Sequence, residues 1–240
     1  MLGLNIVDAI IILFLLAGAA LGFKRGFIPT AVSLIGTILV VILAFILKNP
    51  LSTIMYTHLP FFNFGGAFEG VEVVNILFYE AVAFLIVFSL LMFGLRILLV
   101  GTGLVEKILK LTIVLSIPSK ILGALLGLVH GFIILFILLF IFAQFSFSAE
   151  VTRDSKYTYP ILNRTPILSR AVGGVFNAVE EIYSLRVNHA SSENYNLEAL
   201  EILLRHDVIS VRNARVLIER GKITTPGADY VVDRHEENTR

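Results

Sequence analysis

The chain has 240 residues, of which 57% are hydrophobic, 15% charged and none cysteine, with a formal net charge of +1. Average soluble domains are only ~45–50% apolar, so the composition excludes an ordinary water-soluble globule. The missing cysteines exclude disulfides, thiolate metal sites and a cysteine nucleophile, and the charges crowd into the last third and the short joints between apolar runs, so their placement matters more than their sum.

Two apolar runs, Asn5 to Phe23 and Phe27 to Leu47, are each long enough to cross ~30 Å of hydrocarbon as a helix. The tight basic joint Gly22-Phe23-Lys24-Arg25-Gly26-Phe27 makes them a predicted membrane hairpin. Small residues at Ala17 to Ala20 mimic a signal-peptide cleavage site, but no positive side chain precedes the run and a second span follows, so the first run reads as a retained helix. Asn5 with Asp8 has the spacing of a helix N-cap and a first-turn carboxylate; a transport role for Asp8 is the alternative. Gly18, Gly22 and Gly26 recur every fourth residue and leave one helix face as bare backbone, open to close approach by another helix. Lys24 and Arg25 place the joint on the cytoplasmic side and hence the N-terminus outside.

Lys48-Asn49-Pro50 is expected to end the second span. Residues 51 to 72, with Tyr56, His58, Phe61, Phe62, Phe64, Gly65, Gly66 and Phe68, then read as an outer loop lying in or dipping into the membrane interface, or as one that binds a partner or substrate. The third span, about Val73 to Val100, holds Glu80 in its outer half and Arg96 near its inner end. An acid at that depth is a candidate for function as much as for structure. Leu104 to Leu115 reads as an amphipathic piece flat on the inner surface. Its Lys107 and Lys110, with Lys120, form a second basic cluster, which fits four spans with both termini outside.

The fourth span, Ile117 to about Ala143, echoes the hairpin: residues 18–27 and 123–132 share the pattern G-A-x-L-G-x-x-x-G-F. Duplication and independent use of glycines for packing both explain the echo. His130 falls near the midplane, either as a neutral histidine bonded to a backbone carbonyl or as a proton relay with Glu80.

After residue 145 charge becomes frequent and mixed. Thr165-Pro166 reads as an N-cap opening an amphipathic helix to about Val187, and Ser191 to Asn196 as a polar loop. Leu197 to His206 and Ser210 to Arg220 read as a helix pair, the latter with a serine cap and Gly221 after its end. The polar composition from Thr224 on predicts disorder. The domains expected are therefore a four-helix membrane unit over 1–145, a small helical soluble domain over 146–223 and a disordered tail over 224–240. Arg205, Arg212, Arg215 and Arg220 alternate with Glu198, Glu201, Asp207 and Glu219, which argues against a nucleic-acid-binding face. The catalytic, phosphate-loop and dinucleotide patterns of common enzymes are missing, so neither catalysis nor a cofactor or metal is expected.

In three stretches the chain resembles the colicin V production (CvpA) family of bacterial inner-membrane proteins. They are Asn5-Ile6-Val7-Asp8, the joint Gly22-x-x-Arg25-Gly26-Phe27, and Leu122-Gly123-Ala124-Leu125-Leu126-Gly127 with Gly131. The resemblance covers roughly residues 1 to 145. It implies a four-helix protein of the bacterial cytoplasmic membrane, required for producing a secreted peptide toxin and serving the envelope more widely, with no established molecular activity. The family's membrane unit also occurs fused to an extracytoplasmic serine protease, in place of which this chain has a helical tail.

The chain is thus expected to be an all-α polytopic membrane protein with a small helical C-terminal extramembrane domain. It would support bacteriocin production or export, with the bilayer and either further copies of itself (a homo-oligomer) or an envelope protein as partners. Asp8, Glu80 and His130 are the candidate intramembrane polar residues. A small conducting oligomer and a scaffold whose tail helices recruit a partner are the two mechanisms left open.

Overall fold

Runs of Leu, Ile, Val and Phe that leave no backbone group for water force helix formation in hydrocarbon, where every N–H and C=O must be satisfied internally. The computed structural model describes residues 5–64, 70–101, 117–142, 155–165, 168–188 and 194–239, the side chains of 169–173, 186–188 and 238–239 excepted. Within them every regular element is a helix: α1 (Ile6–Arg25), α2 (Phe27–His58), α3 (Val74–Gly101), α4 (Ile117–Phe142), α5 (Thr158–Arg164), α6 (Leu168–Asn188), α7 (Tyr195–Arg205), α8 (Val211–Glu219) and α9 (Ala228–Thr239). α1 to α4, of 20, 32, 28 and 26 residues, are long and apolar enough to cross a membrane. The protein is an all-α polytopic membrane protein with smaller helices outside the spans. The expected amphipathic piece with Lys107 and Lys110 lies outside the described residues, as do Gly65, Gly66, Phe68, Pro166 and the loop from Ser191.

The chain forms two compact units, the first made of residues 1–47, 84–139 and 154–158. Its joint between α1 and α2 is a single residue, Gly26, whose φ of 83° and ψ of 177° lie in a region essentially closed to other amino acids. The Gly26 N–H closes α1 on the Gly22 carbonyl at 2.9 Å. At the start of α2 the orphan N–H of Phe27 donates to Ser119 Oγ of α4 at 3.1 Å. α1 then crosses α4 antiparallel, with Gly18 facing Gly131, Gly22 facing Gly127 and Gly26 facing Gly123. A Cβ on Gly18 would come within 2.7 Å of the Gly127 carbonyl oxygen, and one on Gly127 within 2.7 Å of the Gly22 Cα, so only glycine permits this approach. The two echoed sequence stretches are thus each other's packing partners.

α4 is the central span: half of its most apolar stretch is buried by protein, against 17% for α1, 33% for α2 and 11% for α3. The other helices turn residues such as Leu13, Leu39, Leu90 and Phe93 outward. α3 returns antiparallel to α2, with Leu95 beside Gly36 and the Phe84 ring 4.7 Å from that of Phe45.

The second unit, residues 48–83, 140–153 and 159–240, corrects three expectations. First, α2 does not stop at Lys48-Asn49-Pro50 but runs to His58 with Pro50 inside it. Proline removes one ladder hydrogen bond, and here the turn around it is held by side chains: Ser52 Oγ donates to the Asn49 carbonyl at 3.0 Å and, with Lys48, binds Glu80 of α3.

Second, of the residues 51–72 expected to form an outer loop, 51–58 belong to α2, and the stretch from 59 to 64 is tied to α3. Asn75 accepts from the Phe62 N–H at 2.6 Å and donates to its carbonyl at 3.0 Å, and Tyr79 donates to the Pro60 carbonyl at 2.5 Å. Tyr56, expected at the interface, is 2% exposed. It sits in one apolar core with Val73, Ile76 and Leu77 from the α2–α3 region and Ile182, Leu200, Leu203 and Leu217 from α6, α7 and α8. The extramembrane domain is therefore composite, not a separate module beginning at residue 146.

Third, residues 228–239, expected to be disordered, form α9. Ala228, Val231 and Val232 make a short apolar stripe that enters the same core. Arg215 clamps Asp233 at 2.9 Å and Glu236 at 2.8 Å, and the hydrogen bonds it donates to those carboxylates raise the guanidinium above its usual range. The serine cap of α8 is as expected, Ser210 Oγ accepting from the Asn213 N–H at 3.3 Å, and Gly221 follows the helix at φ 63°. α6 begins at Leu168, and the Thr165 hydroxyl donates to the Ile161 carbonyl at 2.6 Å.

Gly26→Ala is expected to cost about 1–3 kcal/mol from backbone strain. Gly94→Ala, at an ordinary φ with nothing within 4 Å of the added carbon, should be nearly silent. Thermal unfolding of the two variants in detergent checks this; equal melting temperatures would contradict the role given to Gly26.

Candidate functional site

Three polar groups marked in the membrane sequence have partners, each within its own unit. Glu80, 6% exposed, accepts from Lys48 Nζ of α2 and from Ser52 Oγ, the latter at 2.5 Å. Lys48 is itself 9% exposed. Lys48 and Ser52 lie four residues apart, hence on one helix face, so the pair grips the carboxylate from two successive turns. An acid buried this way is neutralised locally, and a buried ion pair with one partner removed leaves an uncompensated charge.

His130 lies in the first unit and meets the Thr37 hydroxyl of α2 through Nε2 at 2.9 Å. The expected backbone carbonyl is replaced by a side chain from a neighbouring helix. Thr30, Thr37 and Ala44, seven residues apart along α2, are each at most 2% exposed and mark the helix face turned inward. The Thr30 hydroxyl returns to the Gly26 carbonyl at 2.7 Å and so satisfies the joint.

Asp8 is fully buried. It forms the expected capping box, accepting from the Asn5 N–H at 3.3 Å. Its other oxygen accepts from Ser155 Oγ at 2.6 Å and from the Tyr157 N–H at 3.4 Å. Ser155 in turn accepts from the Thr158 N–H at 3.1 Å. The first turn of α1 is thereby tied to the chain segment beyond α4. Sequence reading missed Ser155, Lys48, Ser52 and Thr37. The signals available for them were weak: an i, i+4 pair, a seven-residue spacing, and a serine three residues before a helix.

Outside the spans, α6 and α7 border a groove of about 650 Å³ lined by Glu180, Glu181, Glu198, Glu201 and Arg205. Glu181 is held by Arg205 and by His206 Nε2, the latter at 2.8 Å, and Glu201 by Arg234 at 2.6 Å. Glu180 and Glu198 are exposed at its rim. The groove is net acidic and open, suited to a basic segment of another protein. Among the described residues no three His, Asp or Glu side chains gather as a metal site requires.

The family profile described as "Colicin V production protein" matches residues 7–166. That match includes all four spans and the Ser155 that Asp8 binds. No curated protein and no solved structure matches the chain.

Removing the Glu80 charge alone should be the most damaging polar change. Glu80→Gln is expected to cost about 3–5 kcal/mol by stranding Lys48, while Lys48→Met combined with Glu80→Leu should recover most of the loss. Melting temperatures in detergent decide it, and a double variant no better than the single one would show that the ion pair is not what Glu80 contributes.

Proposed function

Since the chain belongs to the colicin V production protein family, we propose that it is a non-enzymatic membrane scaffold supporting toxin production or export and envelope homeostasis. In this reading it holds a partner at the membrane through its composite extramembrane domain. The observation that carries the reading is the core in which Tyr56, Val73 and Leu77 pack with Ile182, Leu200 and Leu217. That core packs the tail helices with residues 48–83 in one unit, and the acidic α6–α7 groove is a surface that this unit presents.

Four crossings return the chain to the side on which it began. Lys24, Arg25 and Lys120, at the opposite ends of the spans, orient those ends toward the cytoplasm by the usual bias of basic residues. The groove then faces an envelope protein, and the bilayer is the second partner. A conducting homo-oligomer is the other reading, favoured by the face of α3 that is left uncovered among the described residues. Against a pathway through Glu80 or His130 stands the pairing of both with neighbouring side chains.

Charge reversal at the groove separates the readings. Glu180→Lys with Glu198→Lys alters two exposed residues outside the core, so melting temperature should hold while complementation of toxin production in a deletion strain falls at least tenfold. His130→Ala should complement normally. Full complementation by the groove variant, together with failure of a folded His130→Ala, would favour the conducting pathway and defeat the scaffold.

A further inference from the structure

α1, the start of α2 and α4 enclose a second groove, of about 190 Å³, wholly within the first unit. Its floor is made of Gly18, Gly22, Gly127 and Gly131, so the crossing that joins α1 to α4 leaves a channel that no described side chain fills. Along α1 the groove extends from Phe14 to Arg25, roughly 16 Å at 1.5 Å per residue. That is about half of the ~30 Å hydrocarbon core, the depth of one leaflet. Its deep end is apolar, with Phe14 and Ile134; its shallow end carries Arg25 and Thr30, and His130, next to the Gly131 that faces Gly18, lies deeper, toward the midplane.

Charge at the shallow end is unbalanced. Asp8 is the sole carboxylate among the described residues of this unit. It sits 17 positions before Arg25, about 26 Å away along the helix. Arg25 is exposed, as is the adjacent Lys24, and Lys120 lies over the Phe23 ring at 5.9 Å. A guanidinium at the headgroup level, with no carboxylate near it among the described residues of its unit, is complementary to a phosphate, which it binds with two parallel hydrogen bonds. The groove is too narrow for a helix of a second copy, whose diameter with side chains is ~10 Å.

We propose that this groove is a binding site for one anionic phospholipid. Arg25 holds the phosphate, and one acyl chain follows the glycine floor past Thr30 and His130 toward Phe14 and Ile134. His130, fixed by Thr37, is a polar point on the wall nearer the midplane, beside the acyl chain. The glycine faces therefore have a second use beyond helix contact, and this site does not depend on what the α6–α7 groove recruits.

The test is native mass spectrometry of the full chain released from detergent, titrated separately with phosphatidylglycerol and phosphatidylcholine. The wild type should hold one phosphatidylglycerol with about fivefold or greater preference, the worth of one basic residue at an anionic surface. Arg25→Gln should erase the preference, and Lys24→Gln, outside the groove, should keep it. Ala17→Phe, which fills the exposed wall, should reduce retention of both lipids, and each variant is read only if its melting temperature matches the wild type. Should Arg25→Gln not fold, the wild-type preference and Ala17→Phe still decide. Equal retention of the two lipids by the wild type, equal losses in Lys24→Gln and Arg25→Gln, or full retention by Ala17→Phe would overturn the site. So would displacement of the lipid by millimolar inorganic phosphate, which would reveal a bare anion site.

Discussion

Two apolar helices gain nothing by leaving water when both already lie in hydrocarbon, so their association depends on close backbone approach and on polar groups finding partners. The α1–α4 crossing meets that constraint through glycine on both sides, with Gly22 against Gly127 at its centre. Much of the membrane unit follows from it. The antiparallel register brings Ser119 to the Phe27 N–H, which starts α2 beside α4, and one further turn-by-turn advance of both helices brings Thr37 to His130. Gly26 has to make the reversal in one residue because the glycine contact continues into the joint itself.

The ionisable side chains in the spans serve the same constraint. In low dielectric a polar group is a liability when alone and a specific fastener when paired. Glu80 fastens α3 to two turns of α2, His130 fastens α4 to α2, and Asp8 fastens the start of α1 to the segment after α4. These bonds lock register in a way that interchangeable leucines cannot. Such locking suits the scaffold proposed above, in which the unit that residues 48–83 share with the tail helices is the surface presented.

The spans, the serine cap of α8 and the importance of the glycines were legible because they rest on local signals: run length, cap chemistry and four-residue spacing. What escaped rests on tertiary contact. Pro50 looked like an end of helix because its cost is local, whereas the Lys48, Ser52 and Glu80 contacts that offset it join residues distant in sequence. The residues after Thr224 looked disordered because their charges outnumber the three-residue stripe of Ala228, Val231 and Val232, and it is Arg215 and Glu201 on other helices that neutralise those charges. Tyr56 read as interfacial because composition cannot distinguish a ring in lipid from a ring under a helix contributed more than a hundred residues later.

The central claim, that the α2–α3 connection and the tail form one domain on one side of the membrane, is open to a direct measurement. With no native cysteine in the chain, single cysteines at Asn63 and Glu198, exposed in the connection and on α7, and at Lys24, exposed at the joint, can be treated with a membrane-impermeant maleimide in intact cells. The account predicts that Asn63→Cys and Glu198→Cys are labelled together and that Lys24→Cys reacts only after permeabilisation. Labelling of Asn63→Cys without Glu198→Cys, or the reverse, would put the two parts on opposite sides and contradict the composite domain.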